Sequence, residues 1–313
     1  MAAYHRVLLI VNPVSGQARG LRLGQQLRQS LEAKGLVCSV RVTSAGGDAE
    51  RWSNSAAEAG FEAIVVIGGD GTVGEVVAGQ ARTSEKVPLA IVPVGTANVV
   101  AIALTLPLIP AMIRAGILEG RVLEFDVGYL PDLDRHFLLM AAIGYPAKVT
   151  RDAPRRLKNL FGVFSYMWSG LRNAFRLDEV DIAIEDHEGS SRYFRGNTIL
   201  LANIGKIGEI NLKVNPDTSA HDGKFDVTVI SSRSLWQLVL VLFRMLTWRS
   251  RGAPAMQNFQ APEVIVRTDP PVEVQIDGEN IGSTPLRARV ISRGVKIIVG
   301  PRYRDRVGEQ SAR

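Results

Sequence analysis

The stretch Ala63 to Ala78, AIVVIGGDGTVGEVVA, limits what this chain can fold into more than any other part of it. An apolar, β-branched run, Ile64 to Ile67, breaks at Gly68-Gly69-Asp70-Gly71 and resumes as Thr72-Val73-Gly74-Glu75-Val76-Val77. That order reads as a buried strand, a glycine turn and the first turns of a helix. Such a junction is an anion site, because the unpaired N–H groups and the dipole of a helix N-terminus both face the turn. Asp70 is the anomaly. A carboxylate beside a phosphate repels it unless a cation or a donor lies between them, so Asp70 implies Mg²⁺ or a ribose contact.

The surrounding pattern repeats this unit. Arg6 to Val11 reads as a buried strand ending at Asn12-Pro13-Val14-Ser15-Gly16, and Gln17 to Lys34 as an amphipathic helix. Strands are expected at Leu36 to Thr43, Phe61 to Ile67 and Pro88 to Val92, and helices at Asp48 to Ala59 and Thr72 to Gln80. Such alternation predicts a mostly parallel sheet with helices on both faces. Ligands of such sheets bind beyond the carboxyl ends of the strands, where the turns at residues 12–16, 68–72 and 93–98 fall. After about Gly120 the texture changes to strands joined by turns: Val122–Leu130, Phe137–Ile143, Val180–Glu185, Arg192–Asn203, Phe225–Ser231, Glu263–Arg267, Val272–Ile276 and Arg287–Val299. This predicts an antiparallel sandwich or barrel. Helical insertions are expected at Arg155–Phe175 and Ser234–Arg249, and a frayed tail from Pro301. The expected division is 1–120, 121–300 with its last strand able to return to the first domain, and 301–313.

Composition narrows the partners. With 37 Lys and Arg against 31 Asp and Glu, the formal charge is +6, which suits nucleic acid, an anionic membrane or phosphorylated ligands. No nucleic-acid motif accompanies it, so nucleic acid is the weakest of these. The single cysteine, Cys38, excludes an intrachain disulfide and a cysteine metal site, and its apolar setting suggests a buried thiol. Pro107 and Pro110 interrupt Val99–Ile113, and Leu235–Trp248 is short and carries Arg244, so neither reads as a membrane span. A soluble, cytoplasmic protein is expected, in peripheral contact with the inner membrane face.

Several motifs have plain alternatives. Gly69-x-Gly71-x-x-Gly74 matches a dinucleotide or protein-kinase glycine loop, but the acidic residue, lysine and partner motifs those folds require are missing. Asn12, Ser15, Thr43, Thr72 and Thr96 are the polar candidates around a nucleotide on the predicted sheet edge. Asp277-Gly278-Glu279 and Asp222-Gly223-Lys224 read, by propensity alone, as ordinary hairpin turns.

Taken together, these stretches resemble the diacylglycerol kinase catalytic-domain family, especially the bacterial soluble lipid kinases, with sphingosine kinases as relatives. The resemblance rests on Asn12-Pro13 with Ser15-Gly16, Gly68-Gly69-Asp70-Gly71-Thr72 with Glu75, and Gly95-Thr96-Ala97-Asn98. It continues through Phe125-Asp126-Val127-Gly128, Asp222-Gly223 and Asp277-Gly278-Glu279, in family order. It implies a nucleotide-binding α/β domain with an NAD kinase-like parallel sheet, and a mainly antiparallel β-sandwich C-terminal domain that binds lipid. The active site is expected between them.

The resemblance implies ATP on Asn12, Pro13, Val14, Ser15, Gly16, Thr43, Gly68, Gly69, Asp70, Gly71, Thr72, Val73, Gly74 and Thr96. It makes Glu279 or Asp277 the general base on the lipid hydroxyl. Asp70 would hold Mg²⁺ or its waters near the phosphates, and Asp126 would join that network. Asp222 would ligate a structural Mg²⁺ with the carbonyls of Ser219 and Lys224. This reverses the plain hairpin reading of both Asp-Gly turns. The expected partners are a lipid substrate at the membrane surface and no nucleic acid, and a homodimer is compatible.

The chain departs from the family pattern at Gly74, where Asn is usual, at Val99, where Asp is usual, and at Ile207-Gly208-Glu209-Ile210, which carries one glycine. Val99–Leu104 and Leu106–Pro110 would border a lipid cleft or pack as core. Arg151, Arg155, Arg156 and Lys158 beside Leu157, Leu160, Phe161, Phe164 and Trp168 form a basic amphipathic segment suited to anionic lipid, or a solvated face over a core stripe. The rival readings are an NAD kinase and a nucleotide- or lipid-binding protein with weakened catalysis.

Overall fold

A computed structural model describes residues 4–16, 19–106, 110–147, 178–204, 206–207, 212–213, 218–232, 237, 255–300 and 303. The insertions expected at 155–175 and 234–249, the basic segment 151–168 and residues 208–211 lie outside the described residues, apart from Gln237. The chain divides into two compact units, residues 1–127 with 292–313, and residues 128–291.

The first unit is the α/β domain. Its strands are β1 (Arg6–Val11), β2 (Val37–Val42), β3 (Ala63–Gly68) and β4 (Leu89–Pro93). Its helices are α1 (Arg19–Glu32), α2 (Asp48–Asn54), α3 (Asp70–Arg82), α4 (Val99–Ala103) and α5 (Pro110–Glu119). The sheet runs β2-β1-β3-β4, all parallel. The end of the last strand then joins β4 in parallel through Ile297 and Leu89.

Period-2 alternation assigns the faces. Val7, Leu9 and Val11 of β1 pack with Leu27 and Leu31 of α1 and Ile117 of α5, while Leu8 and Ile10 are fully buried on the other side. That second face is covered by α3, on which α2 packs. Burial on both faces is why β1 and β3 read as unbroken apolar runs. Each such side chain contributes roughly 1.5–3 kcal/mol.

The second unit begins within β5 (Arg121–Leu130) and ends within β18 (Leu286–Val299), a strand the two units share. Between them lie β6 (Arg135–Phe137), β7 (Met140–Gly144), β8 (Val180–Asp186), β9 (Ser191–Gly196) and β10 (Thr198–Ala202). Next come β11 (Lys206–Ile207), β12 (Leu212–Lys213), β13 (Phe225–Ile230), β14 (Met256–Ala261), β15 (Glu263–Asp269), β16 (Glu273–Ile276) and β17 (Glu279–Ser283).

One sheet of this unit runs β18-β15-β8-β9 and the other β14-β13-β10-β7-β16-β17, both antiparallel. Their inner faces share one core, in which Ile182, Val264 and Ala288 meet Ile143, Ile199, Val227 and Val274. This is the antiparallel sandwich.

Two expected strands are split. The run 137–143 breaks at Leu138-Leu139, because β6 pairs with β5 while β7 pairs with β10 and β16. The run 192–203 breaks at Asn197, whose side chain donates to Ser232 O at 2.6 Å. The expected helix 48–59 stops at Asn54 and continues as hydrogen-bonded turns to Gly60.

Candidate active site

In the first unit the strand ends are tied to one another. Asn12 N donates to Ile67 O at 2.9 Å, Thr43 N to Val11 O at 2.9 Å and Val94 N to Gly68 O at 3.1 Å. These bonds line up the turns after β1, β2, β3 and β4 on the carboxyl edge of the sheet. Side chains complete the link. Asn12 Nδ2 donates to Thr72 Oγ1 at 2.9 Å, and Asn12 Oδ1 accepts Val14 N at 3.1 Å.

Glycine is required where the turns touch. A Cβ on Gly95 would stand 2.7 Å from Gly69 Cα, and one on Gly16, at φ +61°, would stand 2.1 Å from Val94 O. Gly71, by contrast, faces open space and is exposed, at the first turn of α3 where N–H groups are unpaired by the helix. Gly69 precedes that turn in extended backbone and no side chain caps it. The helix therefore begins at Asp70, two residues before the expected Thr72. Val73 is buried, Ser15 Oγ lies within 4.0 Å of a Cβ built on Gly69, and Thr96 and Val14 are exposed. Thr43 makes only a long contact, 3.5 Å, from its hydroxyl to Val11 O.

Asp70 faces the fourth turn. Its Oδ1 accepts Val100 N at 3.3 Å. Burial raises its pKa above the ordinary carboxylate value, opposed by the backbone N–H groups of Val100, Asn98, Val99 and Asp70 itself. A cation at this carboxylate would offset the burial cost. Asp126, fully buried, accepts Arg293 N at 2.8 Å, where β18 bends through a left-handed residue, φ 51°. Glu75 is drawn into the helix layer, where its Oε2 accepts Ala49 N at 3.2 Å in the first turn of α2. Burial pushes the Cys38 thiol up to about 11, which keeps it protonated and a poor nucleophile.

In the second unit Asp277 and Gly278 form a two-residue hairpin turn, both with positive φ (46° and 89°), between β16 and β17. Asp277 Oδ2 accepts Leu138 N at 2.7 Å, and its Oδ1 accepts Leu139 N and Met140 N, both at 2.9 Å. Asn203 Nδ2 donates to Leu138 O at 2.7 Å and secures the same break. Asp277 is thus held inside the fold. Glu279, two residues on, is exposed and pairs with Arg135 at 2.7 Å. Sequence reasoning missed Arg135 and Asn203. A buried Asn closing the apolar run of β10 was the only sign of the second, and nothing marked the first.

The Asp222 turn precedes β13. Following the register from β13 through β10 and β7 to β16 places Asp222 and Asp277 at the same end of this sheet, since Ala202 pairs with both Asp226 and Met140. Three strand spacings separate their strands, roughly 14 Å. Lys224 N donates to Asp222 Oδ1 at 3.1 Å, and Gly223 has φ 72°. One carboxylate and two carbonyls in a single turn are the hard oxygen donors that Mg²⁺ takes while keeping waters, so these residues fit that ion. Among the described residues no three His, Cys, Asp or Glu side chains cluster around a metal position.

Comparison with known proteins places both units in one family. The diacylglycerol kinase catalytic domain matches residues 6–130, and the YegS C-terminal NAD kinase beta sandwich-like domain matches residues 140–299. The chain belongs to the diacylglycerol kinase catalytic-domain family. Among its relatives, the diacylglycerol kinase of Bacillus subtilis (strain 168) is 29% identical over 297 residues, 94% of this chain and 96% of that one. The diacylglycerol kinase of Staphylococcus carnosus (strain TM300) is 29% identical over 93% of this chain and 94% of its own.

Two crystal structures from Bacillus anthracis str. Sterne share the fold. One has a TM-score of 0.81 at 24% identity, covering 97% of this chain and 98% of the other. The second, a diacylglycerol kinase, has a TM-score of 0.72 at 21% identity, covering 97% and 100%. Family membership supports lipid-kinase chemistry in general, and a kinase implies ATP as co-substrate. The family departure at Gly74 is open to repair, because a Cβ there meets nothing within 4 Å. Val99 lies half-buried beside Asp70, to which its N–H is bonded.

Proposed function

We propose that this protein transfers the γ-phosphate of ATP to a hydroxyl of diacylglycerol or a related lipid. The observation that supports this most is the joined set of turns at the N-terminus of α3, where Gly69 and Gly95 touch and Asn12 holds Thr72. There the first N–H groups of α3 and the turn 12–16 bind the phosphates, and Thr43 and Thr96 border the nucleotide. Phosphoryl transfer needs positioning and charge neutralisation more than covalent help.

Mg²⁺, when bound, supplies charge neutralisation at the phosphates. Asp70 would hold it or its waters there, and Asp222 with the Ser219 and Lys224 carbonyls would hold a second, structural ion. Of the two carboxylates of the hairpin, Glu279 is the general base, because it is exposed, whereas both oxygens of Asp277 already accept backbone N–H groups. Asp277 fixes the turn from which Glu279 projects.

The test is radiolabelled ATP with total lipid extract, with dioleoylglycerol and with NAD, the products separated by chromatography. Label in a lipid phosphate supports the reading. Label in NADP instead, or ATP binding with no transfer to any acceptor, overturns it.

A further inference from the structure

We infer that Arg135 is a positioning residue for the transfer step: it holds one oxygen of the Glu279 carboxylate and leaves the other for the lipid hydroxyl. The inference rests on the lipid-kinase reading above and deepens it. Arg135 Nη2 stands 2.7 Å from Glu279 Oε2, with the side chains 45% and 64% exposed. Arg135 lies on β6 and Glu279 opens β17, 144 residues apart in sequence. The backbone under Glu279 is already fixed, since Asp277 is bonded to Leu138, Leu139 and Met140 in the preceding turn. The Glu279 side chain still has rotamer freedom, and the guanidinium limits it. Among the described residues Oε1 has no hydrogen-bond partner.

An exposed pair adds at most about 1 kcal/mol to stability, so Arg135 acts on the direction of the carboxylate more than on the fold. Direction matters because a general base must lie within hydrogen-bond reach of its proton, and a misplacement of about 1 Å can cost about 10²-fold in rate. In the step served, the hydroxyl proton passes to Glu279 Oε1 and the hydroxyl oxygen bonds to the γ-phosphorus. The bond from that phosphorus to the β–γ bridging oxygen breaks, and ADP leaves with the electron pair.

The test is steady-state kinetics with ATP and dioleoylglycerol in Triton X-100 mixed micelles. The proteins are the wild type, Arg135→Ala, Arg135→Lys, Glu279→Gln and the double variant Arg135→Ala/Glu279→Gln. Arg267→Ala, which breaks the exposed Arg267–Glu185 pair (3.1 Å) elsewhere in the same unit, is the control and should match the wild type. Arg135→Ala is expected to lower kcat by up to about 10²-fold with the KM for ATP unchanged. Arg135→Lys should restore most of that loss. The double variant should be no slower than Glu279→Gln, because the two residues act as one unit.

Full kcat in Arg135→Ala beside a crippled Glu279→Gln would overturn the inference and leave the kinase reading intact. A further loss in the double variant, or no rescue by lysine, would overturn it too, placing the guanidinium on the phosphate instead. A wild type that phosphorylates no lipid would overturn the functional reading, and this inference with it.

Discussion

Asp277 and Glu279 carry the same charge two residues apart, yet their surroundings separate their roles. Removing Asp277 leaves the N–H groups of Leu138, Leu139 and Met140 without their acceptor. Asp277→Ala should therefore cost on the order of 3 kcal/mol of stability. Glu279→Gln removes one exposed pair and should cost under about 1 kcal/mol. Urea unfolding midpoints would fall in the first variant and hold in the second. An equal fall in both would make Glu279 part of the framework and remove it from the chemistry.

A second carboxylate, Asp48, tests the same logic by pH. The Ser44 N–H, the Ser44 hydroxyl and the Ala45 N–H, with Arg51 beside it, hold its pKa below the ordinary carboxylate value. A depressed native pKa stabilises the fold at pH values above the unfolded pKa, and the benefit is lost as pH falls towards the native value. Asp48→Asn should lower the melting temperature at neutral pH, and the gap should close on acidification. A gap that stays constant with pH would show that the charge is not what these donors bind.

Along α3, the space beside each glycine decides the sign of the same substitution. Gly74 faces open space, so Gly74→Ala should stabilise by about 0.5–1 kcal/mol through helix propensity. A Cβ on Gly79 would stand 2.3 Å from Glu50 O of α2, so Gly79→Ala should cost about 1–3 kcal/mol. Thermal melts of the two variants should move in opposite directions, and a common direction would mean that α2 and α3 do not approach so closely. The α2–α3 contact is specific in other ways, since Ser53 Oγ donates to Val76 O at 2.7 Å and buried Gln80 Nε2 donates to Ser53 O at 2.7 Å.

None of this α2–α3 detail was legible in the sequence, where Gly74 and Gly79 look alike. What was legible followed local patterns: apolar runs gave β1 and β3, and the change after Gly120 to strands joined by turns gave β8, β13 and β15. Misses came where distant partners decide, as in the break at Leu138-Leu139, which β5, β10, β16 and Asp277 impose together. β14, MQNFQA, lacked an apolar run because Gln257, Asn258 and Gln260 are exposed. In the site the glycine turn and its neighbours were readable, because strand order alone brings those turns to one edge. The division of labour between Asp277 and Glu279 was not, since it depends on donors some 140 residues earlier in the chain.

At the scale of the molecule, each unit carries its own core and its own set of polar turns, so ligands should act on them separately. ATP held by the turns of the first unit would stabilise the protein by about 2.7 kcal/mol at a concentration about 100 times Kd, provided the unfolded chain does not bind it. Hydrogen exchange should locate that effect. With ATP and Mg²⁺, protection should appear at residues 12–16 and 68–74, where backbone N–H groups would donate to the phosphates. Mg²⁺ alone should slow exchange at residues 219–224 without changing 68–74, because the carboxylate and carbonyls of that turn need no nucleotide to take the ion. Protection of 68–74 by Mg²⁺ alone would mean that Asp70 takes its ion without nucleotide. No change at 68–74 with ATP and Mg²⁺ would remove the nucleotide from the N-terminus of α3, and with it the reading of the glycine turn as a phosphate cradle.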